Sequence, residues 1–448
     1  MTISKFVVLT SLLSLIALPG FAHSAFDPKL PTGEDNADAR AFLDQTIFAP
    51  TDEVLGTEPR ILSVSEDAHQ VRFEVAKDEN SYYLLFLNDN PKTAAGENQF
   101  PIAGRGNYIV KRRLSDGAFL QVKVFLQNDP DYYLRIFPDG GEVLDAGALR
   151  AGRSFVDVYL AGTRVYRDVV LPISFGQVLT DSLQRVIDLT SDSIDWGLLL
   201  PDSKSAAFSD VRSMIAAIRK ALPTLPDAED GAMDQNGRLV RISSLALQEN
   251  LPGFNCSGFA KWIADGLYKP ATGHFLSIKA LSMKHPELRG NRWSRQVEDA
   301  RDPYFGLDWT RNIAVSLMAV DRPGEALLPT AADVRDVPFQ QYVQNVGYPI
   351  VQLKEVLYLL AASDPGNFYL GSVNRDFGTD PVLRQHTHVV VLFPYLLDDG
   401  EFRVAVFERN VETSTESLLK RYPNDYIHLV RVRASSAYVP PVIETASR

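Results

Sequence analysis

The chain has 448 residues, 45% of them hydrophobic and 23% charged, with a formal net charge of −11 and a pI near 5.2. That balance excludes a disordered chain, and without a long lysine or arginine run it denies a nucleic acid its electrostatic footprint, so no nucleic-acid partner is expected. The chain is long enough for two or three domains, and its lone cysteine, Cys256, excludes an internal disulfide.

Met1 to Ser24 reads as a cleavable signal peptide: Lys5 gives the positive start, Phe6 to Leu18 is apolar, Pro19-Gly20 breaks the run, and Ala22-His23-Ser24 offers small residues for cleavage. The run is shorter than the roughly 18 residues of a membrane span, and no cysteine follows it to accept a lipid. With no later long apolar stretch, no membrane span is expected, and the chain reads as periplasmic or secreted. Residues 25–59 are polar and Pro/Asp-rich with one helical patch near Ala39 to Leu43; they read as a leader without chemistry.

Over residues 60–175 alternation dominates, as in Gln70 to Val75, Tyr82 to Leu87, Asn107 to Arg112, Phe119 to Leu126, Tyr132 to Phe137 and Phe155 to Leu160, with turn residues between. Short strands at this spacing predict a β-rich accessory domain, sandwich-like or barrel-like. Tyr82, Tyr83, Tyr132 and Tyr133 could offer a sugar-stacking face, but half-buried strands are rich in tyrosine, and packing is the expected role. Residues 176–240 follow as a helical connector, with the domain boundary somewhere inside it.

At Gly253-Phe254-Asn255-Cys256-Ser257-Gly258-Phe259 the pattern changes. Asn255 can cap a helix, and Phe259, Ile263 and Leu267 recur at helical spacing, so Cys256 falls on the first turn. A helix N-terminus carries partial positive charge and unpaired N–H groups, which lower a thiol's pKa and offer donors to an oxyanion. Beyond a Pro- and Gly-rich stretch, helices are predicted from Thr310 to Ala319 and Pro349 to Ala362, then strands at Asn367 to Asn374, Thr387 to Leu397, Glu401 to Asn410 and Tyr426 to Val432. His386 and His388 lie two apart on one strand and should share a face. Across the Leu397-Asp398-Asp399-Gly400 turn, Glu408 and Asn410 should neighbour them. A thiol, an imidazole base and an orienting polar group are thereby expected to meet. His386 and His388 as a metal pair lack a third ligand at any telling spacing, so no metal and no cofactor are expected.

The order Asn255-Cys256-Ser257-Gly258-Phe259, then Pro365-Gly366-Asn367, then His388-Val389-Val390-Val391, then a return strand with a polar residue resembles the NlpC-type, papain-like cell-wall cysteine endopeptidases over residues 241–435. The family pattern reads Asp-Cys-Ser-Gly, Pro-Gly-Asp and His-Val-Gly-Ile. Asn255 thus stands where many members have an acid that holds the substrate's free amine, and Val390 where they have glycine. The resemblance implies an α+β fold with Cys256 as nucleophile and His388 as base. The papain-like precedent favours Asn410, which is the expected orienter, while alignment on Phe407 favours Glu408. Asn255, Ser257 and His386 are the expected substrate contacts. Residues 269–362 would be a large insertion shaping the cleft, with Lys284, Arg289, Arg292 and Arg295 either a solvated face or the groups that meet peptide carboxylates, and residues 436–448 a C-terminal tail. The implied activity is that of a peptidase or amidase on peptidoglycan stem peptides or another peptide or amide substrate. An acyltransferase on the same thiol and imidazole, or a non-catalytic envelope binding protein, are the alternatives; oligomeric state is not read.

Overall fold

The computed structural model describes residues 35–63, 70–88, 103–144, 146–289, 302–379 and 382–443. The signal peptide, the first part of the leader, Arg292 and Arg295 lie outside the described residues.

Alternating residues in the first half do form strands: β1 (Arg60–Ser63), β2 (Gln70–Lys77), β3 (Ser81–Asn88), β4 (Tyr108–Arg113), β5 (Phe119–Phe125), β6 (Tyr133–Pro138), β7 (Ser154–Leu160) and β8 (Thr163–Leu171). Each pairs antiparallel with the next, giving one eight-stranded sheet in sequential order. The expected sandwich is therefore corrected to a single meander: alternation fixes which side chains point inward, not what covers them. Its inward residues include Phe73, Leu84, Phe86, Val110, Val122, Leu134, Ile136 and Val156, and the short helices Ala37–Phe42, Asp44–Phe48, Thr51–Leu55, Phe175–Thr180, Leu183–Thr190 and Trp196–Leu199 supply core partners to them. Residues 37–55 thus belong to this unit, with Ala39, Leu43, Ile47 and Val54 buried, and are not a passive leader. Tyr82 and Tyr132 are buried too, which rules them out as a sugar platform.

A small ribbon, β9 (Ala232–Met233) with β10 (Leu239–Val240), precedes the second unit's sheet. That sheet contains β11 (Tyr348–Pro349), β12 (Asn367–Phe377), β13 (Leu383–Leu396), β14 (Phe402–Glu408), β15 (Val411–Thr413) and β16 (Tyr426–Arg433), in the order β11-β16-β12-β13-β14-β15. Both faces are covered, which explains the unbroken apolar run Val389-Val390-Val391-Leu392-Phe393. Val389, Val391 and Phe393 meet the helices Ala206–Ala221, Cys256–Thr272 and Phe305–Asp321. Val390 and Leu392 face the helix Leu353–Ser363 and join the core of the first sheet. The two units are accordingly packed together, with the rings of Tyr132 and Tyr358 5.0 Å apart and Lys354 Nζ 2.5 Å from Asp129.

Residues 269–362 are not an appended subdomain, because their helices Ile278–Leu281 and Phe305–Asp321 join the core on one face of the central sheet and the helix Leu353–Ser363 covers the other. The C-terminal residues also pack: Val439 N–H donates to Gly266 O (3.0 Å), and Trp262 Nε1 donates to Pro441 O (3.0 Å). Gly266 is required there, since a Cβ would sit 2.2 Å from the Tyr438 ring.

Candidate active site

The cysteine helix, Cys256–Thr272, starts where the sequence predicts. Asn255 is extended (φ −90°, ψ −176°), and its side chain accepts the Gly258 N–H at 2.8 Å, the N-cap arrangement that a small polar residue provides. The preceding loop is pinned by Phe254 N–H to Pro226 O and Asn255 N–H to Gly231 O. Gly258 has to be glycine because a Cβ would lie 1.8 Å from Gly231 O. Ser257 O accepts from Trp309 Nε1 at 2.9 Å, so the helix Phe305–Asp321 also braces the first turn. Cys256 is left half-buried, its sulfur at the positive end of the helix.

His388 approaches the sulfur from β13 and is the neighbour that does most to lower the thiol's pKa. Its Nε2 lies 2.6 Å from Glu408 Oε2, which leaves Nδ1 as the nitrogen for the sulfur. Glu408, its side chain only 4% exposed, also accepts hydrogen bonds at Oε1 from Thr413 Oγ1 and Arg421 Nη2. Tyr422 flanks the imidazole, ring centroids 6.2 Å apart.

The electrostatics of the three groups agree. Burial pushes the Cys256 thiol up, but the His388 hydrogen bond and charge, the Val389 N–H and Ser257 outweigh it and hold the thiol below its usual range. Burial alone would lower His388, yet its bonds to Cys256 and Glu408 raise it to about 9. Burial would raise Glu408, while His388, Arg421 and Thr413 bring it down to about 2. The lowered thiol, the raised imidazole and the lowered carboxylate are each shifted toward the charged form, and they titrate as one coupled system.

Asn410 is not the orienter. The last β13–β14 pair is Val391 with Phe407, and Glu408 then pairs with Val411 of β15. The chain reverses through Arg409, whose φ is +53°, and this turn carries the Asn410 amide to Leu225 O at 2.7 Å. His386 is not a substrate contact either. A bulge sets Val373 against His388 but Asn374 against His386, and because those β12 residues are consecutive the shared face is lost. His386 is 6% exposed, bonds Ser372 Oγ through Nδ1 at 2.9 Å, and burial drives its pKa well down, so it stays neutral. Ser257 is buried at 4% exposure and serves the helix start, while Asn255 is spent on capping. Arg289, buried against Asp308 and Asp302, cannot meet a substrate, and Lys284 lies 3.6 Å from Asp302. Sequence reasoning passed over Thr413, Arg421 and Tyr422; no spacing marks them, because a turn and a short helix fold them back onto Glu408.

Among the described residues no group of three or more His, Cys, Asp and Glu side chains is arranged to hold a metal ion, and no helix is long and apolar enough to cross a membrane. Residues 31–198 match the model of a family described as a Domain of unknown function (DUF8515). The match covers the first sheet with its helices and stops short of the helix Ala206–Ala221, which packs in the other unit. No curated protein and no solved structure matches the chain.

Proposed function

We propose that this protein is an exported cysteine peptidase or amidase that hydrolyses amide bonds, with peptidoglycan stem peptides as its substrate. The observation that carries the reading is the convergence of Cys256, His388 and Glu408 at the start of a helix, with the thiol lowered and the imidazole raised. The thiolate adds to the amide carbonyl carbon, and N–H groups of the helix's first turn receive the negative charge that develops on oxygen. His388 gives its proton to the amide nitrogen as the C–N bond breaks, leaving a thioester on Cys256. It then takes a proton from water, whose oxygen attacks the thioester and frees the thiol and the acid. Glu408 holds the ring in the tautomer and orientation that both transfers need. The peptidoglycan assignment rests on Met1 to Ser24 and on the resemblance around Cys256 and His388.

Incubation of purified protein with sacculi in reducing buffer, followed by mass spectrometry of the released material, tests it. Stem-peptide fragments from wild type and none from Cys256→Ala are expected; intact muropeptides with acyl transfer to an added sugar or lipid acceptor would overturn the hydrolase in favour of a transferase.

A further inference from the structure

Glu408 divides its two oxygens between two elements. Oε2 faces His388 on β13, while Oε1 receives Thr413 from β15 and Arg421 from the end of the helix Thr415–Arg421. Arg421 is itself steadied: its Nε donates to Ser417 O at 3.2 Å, and its guanidinium lies 5.3 Å from the Tyr422 ring centroid. A cation in the last turn of a helix has an ordinary explanation in the helix dipole. That explanation does not require the guanidinium to reach a buried carboxylate which an imidazole already occupies. Among the described residues the other charged and titratable neighbours are Cys256 from the cysteine helix and Tyr422, which also senses Asp425; Arg409, next in sequence to Glu408, is committed to Asp227 at 2.9 Å.

We propose that Arg421 is a positioning residue of this site, locking Glu408 against His388 and setting the pH range in which the thiolate and imidazolium coexist. The inference rests on the cysteine-hydrolase reading. Two consequences separate it from a structural role. With Arg421 gone, Thr413 alone is left to hold Oε1, and the carboxylate's grip on the imidazole loosens. Removing a positive charge also raises the proton affinity of every nearby group, so the formation and the loss of the thiolate–imidazolium pair both move to higher pH.

The test is the rate of Cys256 alkylation by iodoacetamide from pH 3 to 10 in full-length protein, for wild type, Arg421→Ala and Arg421→Lys. In Arg421→Ala both limbs of the profile shift upward together, by about half to one pH unit, so that alkylation on the acid limb slows about three- to tenfold. Arg421→Lys restores the limb positions through its charge. It does not restore full turnover, because an ammonium lacks the planar fork that holds a carboxylate. Against a substrate, kcat falls in Arg421→Ala while KM holds. Limbs that stay in place in Arg421→Ala, whatever the plateau height, overturn the proposal. A wild-type thiol that titrates near the free value of about 8.5 would instead defeat the underlying reading, and that outcome is visible without any variant.

Discussion

Two histidine, carboxylate and arginine clusters sit on the same six-stranded sheet, and they behave oppositely. At one, His388 meets Glu408 with Arg421 behind it; at the other, His428 Nε2 lies 3.6 Å from Asp333 Oδ2, with Arg311 and Arg335 on the same carboxylate. Both even have a tyrosine alongside, Tyr422 and Tyr342. Yet His388 is raised to about 9, and His428 is pushed below its ordinary value by burial. The difference lies in what else each histidine touches. His428 is fully buried, and its carboxylate is already matched by two guanidinium groups, so adding a proton would put one more positive charge in a closed space. His388 has a thiol that can become an anion and an outlet to solvent. The same residue types thus make a closed brace in one place and, in the other, the thiol-facing cluster proposed as a reaction centre.

That contrast is easiest to break at the extremes. Cys256→Ala should lower turnover at least about a thousandfold while the thermal midpoint stays close to wild type, since the side chain contributes little packing. Asp333→Ala should do the reverse, destabilising the fold by about 3–5 kcal/mol in denaturant titrations because Arg311 is left buried with its main partner gone. The fraction still folded should alkylate normally at Cys256. Comparable losses of turnover per folded molecule in both variants would erase the distinction between brace and reaction centre.

Glu408→Gln should cost about a hundredfold in turnover. It should also flatten the pH dependence of stability. His388, raised in the folded state, contributes stability that is complete below the ordinary imidazole value and lost as pH rises through about 9. Glu408, depressed, contributes stability that is complete above the ordinary carboxylate value and lost as pH falls toward about 2. The stability gap between wild type and Glu408→Gln should therefore be widest between about pH 5 and 6.5 and narrow on either side; a gap constant with pH would show that the pair is not coupled to folding. The smallest effect is expected from Asn410→Ala: about 1 kcal/mol from the lost bond to Leu225 O and no change in turnover. A loss matching that of Glu408→Gln would return Asn410 to the site.

How far the sequence reveals this arrangement depends on the range of the forces involved. The cysteine helix was legible because Asn255, Gly258 and the Phe259, Ile263 spacing are local signals, and the strands of the first sheet because alternation is local too. The pairing of β13 with β14 followed from a turn only a few residues long. Two single-residue irregularities defeated the rest: the bulge beside His388 removed His386 from the site, and the left-handed Arg409 turned Asn410 away while leaving Glu408 in place. Neither has a composition of its own, since no glycine or proline marks Thr387 or Arg409. The sandwich was misjudged for a different reason. The meander's inner face is covered by helices and by the other unit's helix Leu353–Ser363, partners far away in sequence.

The strap formed by Val439 and Pro441 across the cysteine helix bears on the timing of folding. Trp262 must wait for a carbonyl 179 positions downstream before its indole nitrogen is paired, and Gly266 O waits almost as long for Val439. During synthesis the thiol is therefore made well before the contacts that hold its helix, and contacts of such long sequence separation form late and slowly. A chain cut before residue 441 would carry every residue of the thiol, imidazole and carboxylate set and still leave the Trp262 indole without its partner, Pro441 O.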